Sequence, residues 1–249
     1  MRNIAIRVSY DGTDFNGYQI QPRGRTVQGE LEKAIKHLTG EEVTLVGSGR
    51  TDAGVHAKGQ VCNFRTTSAI PVERWAIALN TRLPGDIIIL EAWEVPYEFH
   101  SSKSAKRKTY RYTIDNGKFP DVFSKRYRFH HPARLDVGAM RSGLSHLIGT
   151  HDYTSFTSTH STKPSHIRTI YDARLIEEGS VLHIELTGNG FLYNMVRVIA
   201  GTMMFVGQGK LQPDDIKHIL DGGDRSLAGP TAMPHALMLV DVEYDEKSE

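Results

Sequence analysis

Residues 49–57 read Gly49-Arg50-Thr51-Asp52-Ala53-Gly54-Val55-His56-Ala57 and place one carboxylate on a glycine-flanked turn. An apolar stretch at 43–46 leads into the turn and a second near 60–66 leads out, so it joins two strands. An acid on such a turn is presented rather than buried, and Arg50, two residues before Asp52, can hold it ionised. That suits a nucleophile or a base. Asp and Gly are also the ordinary residues of turns, so the reading needs support from elsewhere in the chain. Arg197, on the helix expected after Gly190, is a second cation able to hold the carboxylate. Tyr110, in a basic and aromatic segment, can stack on a nucleobase.

The elements that must position these groups follow from periodicity. Ile4, Ile6 and Val8 alternate with polar residues, so 3–10 is a strand. Residues 11–25 form a long polar loop. Thr26 is an N-cap, Val27, Leu31, Ala34, Ile35 and Leu38 share a helical face, and Gly40 stops the helix. Strands are expected at 43–47 and 59–66, a helix at 72–80 and a strand at 86–95. The second half opens with a strand at 108–114. A helix starts from Asp136 with Val137, Met140, Leu144, Leu147 and Ile148 at helical spacing. Strands follow at 168–176 and 181–187, then a helix at 191–206, a short one from Pro213 and a strand at 237–244. This is βαββαβ, repeated in pattern but not in residue identity. It predicts an α+β fold of two split β-α-β halves, 1–103 and 104–249, forming one mostly antiparallel sheet flanked by helices and crossed by a cleft.

Composition narrows the class. The 249 residues are 39% hydrophobic and 24% charged, as expected of a globular protein able to bury a sizeable core. One cysteine, Cys62, excludes an internal disulfide and fits a reducing compartment. The first residues enter a strand pattern without a signal-peptide core. The longest apolar run, near 199–206, is too short to span a membrane. A cytoplasmic protein without membrane contact is the expectation.

Net charge is only +1, but it is unevenly spread. Residues 100–134 hold ten Lys or Arg and two acids, an excess of +8, which leaves −7 for the rest. Tyr110, Tyr112, Phe119, Phe123, Tyr127 and Phe129 are interleaved with those cations. The mixture suits phosphate contact with base stacking; the alternative is a solvated face over core aromatics.

Several chemistries are disfavoured. Gly47-Ser48-Gly49 has Asp52 where a dinucleotide fingerprint needs its third glycine, and Gly188-Asn189-Gly190 has Tyr193. The twelve histidines show no metal-ligand spacing. No Walker loop or nucleophile elbow is present. An aspartyl phosphotransferase would need a second carboxylate and a magnesium site near Asp52.

The chain resembles the tRNA pseudouridine synthases of the TruA type along nearly its whole length. The resemblance is carried by Tyr10-Asp11-Gly12-Thr13-Asp14-Phe15-Asn16-Gly17, Thr26-Val27-Gln28-Gly29-Glu30-Leu31, the unbroken stretch 49–57, Leu83-Pro84-Gly85-Asp86-Ile87 and Thr109-Tyr110-Arg111-Tyr112. It continues through Asp152-Tyr153-Thr154-Ser155-Phe156, Gly190-Phe191-Leu192-Tyr193-Asn194-Met195-Val196-Arg197 and Leu239-Val240-Asp241-Val242-Glu243-Tyr244. It implies the pseudouridine synthase fold and isomerisation of uridine to pseudouridine at positions 38–40 of the tRNA anticodon stem-loop. It implies Asp52 as catalytic residue, Tyr110 as substrate contact and Arg197 as partner of the aspartate, which leaves Arg50 to reach RNA phosphate. It further implies a homodimer needing no metal or cofactor. The chain departs from the family pattern at Ser101-Ser102, where Ala-Arg is usual, at Tyr18 for tryptophan and at Val198 for asparagine. A tRNA-binding paralogue with altered catalysis or narrowed specificity is the alternative.

Overall fold

The computed structural model describes residues 1–158 and 164–245. The chain forms two compact units, residues 1–106 with 238–249, and residues 107–237. This division differs from 1–103 and 104–249, because the last strand leaves the second stretch and pairs in the first unit.

In the first unit, β1 (Arg2–Tyr10) lies antiparallel between β4 (Ile87–Val95) and β3 (His56–Thr66). β10 (Leu237–Glu243) joins β3 in parallel, Met238 opposite His56 and Leu239 opposite Ala57. Ile4, Ile6 and Val8 share one face with their β3 partners Phe64, Cys62 and Gln60. All six side chains are buried, and each apolar one of Ile or Phe size contributes about 1.5–3 kcal/mol. Trp75 of α2 (Trp75–Asn80) meets Phe64 edge-on at 5.2 Å.

The caps of α1 (Val27–Thr39) match the sequence reading: Thr26 accepts from Gly29 N, and Gly40 ends the helix at φ 79°. The strand expected at 43–47 shrinks to β2 (Val46–Gly47), paired antiparallel with β3. The helix expected at 72–80 opens instead as a 3-10 turn, Val72–Arg74, after Pro71.

The opposite face of β1 and β3 is polar yet covered. Asn63 donates to Asn3 at 2.9 Å, Asn3 donates to Phe99 O at 3.1 Å, and Ser101 N donates to Asn63 Oδ1 at 2.9 Å. Ser101 is fully buried, its hydroxyl bonded to Val46 O, so this departure from the family pattern fills a structural position. Ser102 is exposed, so the arginine usual there is lost from the surface.

In the second unit, β5 (Arg107–Asp115), β9 (Val181–Gly188), β8 (Ile167–Glu178) and β7 (Gly149–Asp152) form an antiparallel run, with β6 (Phe129–His130) parallel to β5. β6 and β7 are too short for periodicity to reveal. Asp136 caps α3 (Val137–Ser145), accepting from Ala139 N at 2.9 Å; the helix stops before Leu147, which is nonetheless buried. α4 (Met195–Gly207) starts four residues later than its apolar pattern suggests, because Asn194 adopts φ 60°. Asn tolerates this left-handed conformation better than most residues. α5 (Asp215–Gly222) follows. Among the described residues no helix is long and apolar enough to cross a membrane.

Candidate active site

In the first unit the site is the connection from β2 to β3. Asp52 is half-buried on its turn, where its carbonyl accepts from Val55 N at 3.1 Å and Gly54 takes φ 77°. Hydrogen bonds brace both flanks. Before Asp52, Thr51 O accepts from Tyr18 N at 3.0 Å, and the Thr51 and Tyr10 hydroxyls lie 2.7 Å apart. The start of the turn is pinned to β3: Ser48 Oγ lies 2.5 Å from Gln60 Oε1, and Gln60 donates to Gly49 O at 2.7 Å. After Asp52, buried His56 accepts at Nδ1 from Gly12 N at 2.9 Å, with Asp11 Oδ1 3.2 Å from the same nitrogen.

The 11–25 loop is the bracket for this turn. A Cβ on Gly12 would fall 2.0 Å from Val55 O, so only glycine permits that approach. Gly17, at φ 86°, faces Thr51 O in the same way. The loop is itself clamped by Arg25, whose guanidinium bonds both oxygens of Asp86 at 2.6 and 2.8 Å and lies 4.2 Å over Phe15. The Tyr18 hydroxyl packs 3.0 Å from Cys62 Sγ beneath. Tyr18 thus fills the position of the family's tryptophan and holds Thr51 through its backbone.

Arg50 is exposed. The backbone is pinned by Gln60 before Arg50 and by Tyr18 after it, and the guanidinium turns to solvent.

In the second unit, Tyr110 on β5 is 7% exposed and meets Phe191 edge-on at 5.0 Å. Tyr112, two residues on and on the same face, is fully buried. Burial pushes its hydroxyl well above the usual range, against the pull of the Arg197 cation. Arg197, on the first turn of α4, donates from Nε to Ala232 O at 2.8 Å and from Nη1 to Asn194 Oδ1 at 2.8 Å. Ala232 N donates back to Arg197 O at 3.1 Å. Asn194 therefore starts the helix and orients its arginine.

The segment 228–232 was invisible as a site component in the sequence, although Gly229-Pro230 punctuates it. It crosses α4 so closely that a Cβ on Gly201 would lie 1.8 Å from Pro230 O. Asn194, Tyr10 and His56 likewise gave no signal of their own beyond standing inside matched motifs.

The basic cluster is partly spoken for. Arg111 pairs with Glu185 at 2.6 Å, Lys106 with Asp245 at 2.9 Å, and Arg107 lies 4.9 Å over Tyr171.

The family described as tRNA pseudouridine synthase matches residues 6–102 and 144–245. Curated relatives named tRNA pseudouridine synthase A are similar over nearly the whole chain. The protein of Anoxybacillus flavithermus is 51% identical, covering 98% of this chain and all of its own. That of Caldicellulosiruptor bescii is 49% identical with the same coverage. That of Bacillus subtilis is 49% identical, covering 97% of this chain and 99% of its own. The α+β fold and these matches define an isomerase with the pseudouridine synthase fold. The chain belongs to the tRNA pseudouridine synthase family.

Proposed function

We propose that this enzyme isomerises uridines 38–40 in the anticodon stem-loop of tRNA, with Asp52 as the catalytic carboxylate. In the reaction the N-glycosidic bond breaks, the uracil turns, C5 bonds to C1′, the C5 proton leaves and the freed N1 takes up a proton. Substrate and product are isomers, so the net change needs no oxidant or reductant. Asp52 acts as nucleophile at C1′; its other available role is as the base that removes the C2′ proton. Either requires an ionised carboxylate, which Arg197 supports as the cationic partner, while Tyr110 contacts the target base. Arg50, exposed beside Asp52, reaches RNA phosphate. The target must leave its stack, at a cost of a few kcal/mol that aromatic and phosphate contacts offset. The enzyme works in the cytoplasm as a homodimer on tRNA.

The observation that carries this reading is the bracing of Asp52 from both sides by buried groups, Thr51 before it and His56 after it. A turn held so by the fold, at a motif matching the family's catalytic one, is built to position its carboxylate and not only to reverse the chain. Pseudouridine mapping of bulk tRNA from cells with and without the protein tests it. Loss of pseudouridine confined to 38–40 is expected; loss elsewhere, or none, rejects the assignment.

A further inference from the structure

The connection from β5 to β6, residues 116–128, turns its apolar side chains outward. Phe123 is 92% exposed, Phe119 76% and Val122 65%. Single exposed apolar residues are ordinary, but three on one short connection, two of them aromatic, mark a contact surface.

The polar groups hold it in that form. The buried carboxylate of Asp115 accepts from Gly117 N at 3.0 Å and from Asp121 N at 3.3 Å. Asp121 accepts from Phe123 N at 3.0 Å, and that backbone N–H is the main reason its carboxyl sits below the usual range. Ser124 N donates to Asp121 O at 3.2 Å and Tyr127 N to Ser124 O at 2.8 Å, closing two successive turns. His130 Nε2 lies 2.9 Å from Gly117 O, and Asn116 donates to Ala133 O at 2.7 Å. The acids are thus spent on backbone N–H groups while the rings face solvent.

What remains outward is cationic as well as aromatic. Lys118, Lys125 and Arg126 are exposed, with the Lys118 ammonium 5.4 Å from the Phe119 ring centre. A surface that offers flat rings between cations matches a partner with flat bases between phosphates.

We propose that this connection is an RNA-contact tip, where an unpaired nucleobase of the tRNA stacks on Phe123 and Lys125 and Arg126 meet flanking phosphates. It follows directly on β5, the strand that carries Tyr110, lies apart in sequence from Asp52 and Arg197, and rests on the reading that tRNA is the substrate.

Phe123→Ala and Phe123→Trp alter a side chain with almost no internal contacts, so the fold survives both. Wild type, these variants and Lys125→Ala with Arg126→Ala are titrated with unmodified full-length tRNA over a salt series. Turnover at saturating tRNA is followed by tritium release from C5-labelled uridine. Phe123→Ala is expected to weaken binding about five- to hundredfold, the range for losing one stacked base, with saturated turnover unchanged. Phe123→Trp restores binding, and the double variant lowers the slope of log affinity against log salt by about 1.5–2. Binding by Phe123→Ala within twofold of wild type overturns the proposal. So does loss of self-association in sedimentation velocity with tRNA affinity intact, which would assign the tip to a protein partner. Wild type that binds tRNA through Phe123 yet forms no pseudouridine supports the tip and rejects the functional reading, so the two fail separately.

Discussion

The hydroxyls of Tyr10 and Thr51 lie 2.7 Å apart in the interior of the first unit, tying the end of β1 to the residue before Asp52. Tyr10 is 4% exposed and Thr51 6%. A buried hydroxyl deprived of its partner costs about 1–3 kcal/mol, so the bond is strongly favoured and the turn has little freedom on that side. Tyr10→Phe keeps the ring and removes this bond. Turnover at saturating tRNA should fall roughly ten- to hundredfold, as expected when a reacting group drifts by part of an ångström, with tRNA affinity little changed. Unaltered turnover would show that Thr51 does not set the position of Asp52.

Asp52→Asn preserves shape and removes charge. Isomerisation should fall by roughly a thousandfold or more, since removal of a nucleophile leaves only the binding contributions. Binding of tRNA should stay within a few-fold of wild type. Tritium release and filter binding on the same preparations separate the two effects. Residual turnover near the wild-type rate would reassign Asp52 to turn formation.

Arg197 is held by Ala232 O and Asn194 Oδ1, so its guanidinium has a fixed orientation that a lysine cannot reproduce. In the proposed role its cation partners Asp52. Arg197→Ala should therefore lower turnover at saturating tRNA by roughly a hundredfold, as for loss of one electrostatic contact to a reacting group, with tRNA affinity little changed. Arg197→Lys should recover only part of that loss, because a point charge lacks the planar fork. Turnover near the wild-type rate in both variants would separate Arg197 from Asp52.

The parts of the fold that could be read from sequence are those with a local cause. Thr26 and Gly40 bound α1 because capping chemistry resides in those residues. Ile4, Ile6 and Val8 mark β1 because one face of it is buried. The start of α4 was misread because apolar periodicity runs through 191–194, while the boundary depends on one asparagine at φ 60°. The motif displayed Asp52 but not its bracing. Tyr10, Gly12 and His56 act on it through contacts across 40 residues or more, which no spacing rule reports. Aromatic spacing at 110–129 was equally divided in outcome. Tyr112 became core and Phe123 became surface, because alternation persists only as long as β5 does.

Gly201 tests the support of Arg197 from the opposite side. Any Cβ there collides with Pro230 O at 1.8 Å, on the segment whose Ala232 holds the arginine. Gly201→Ala must push the 228–232 segment away from α4, at about 1–3 kcal/mol for overpacking. For a chain of this size that is roughly 2–12 °C in melting temperature. Turnover should fall further than stability explains, with the folded fraction measured by circular dichroism at the assay temperature. A variant that melts early but turns over normally when folded would remove the 228–232 segment from the positioning of Arg197.

Cys62 and Tyr18 make an alkaline limit to stability. Cys62 is fully buried, and burial pushes its thiol from 9.0 up to about 12. Burial also pushes the contacting Tyr18 hydroxyl well above its usual range, reinforced by Cys62. Both folded values exceed the unfolded ones, so the stabilisation is complete below about pH 9 and is lost as pH rises toward 12. In that window the unfolded chain releases protons that the folded chain keeps, and each group steepens the loss by about 1 kcal/mol per pH unit. Urea unfolding at pH 8 and at pH 10.5 should show the decline. Cys62→Ala should reduce the decline by one group's share, whatever the cavity costs at both pH values. In native protein at pH 8, Cys62 should resist a thiol reagent until urea exposes it. Prompt labelling of the folded protein, or an identical pH slope in Cys62→Ala, would show that the thiol is not held un-ionised beneath the Tyr18 ring.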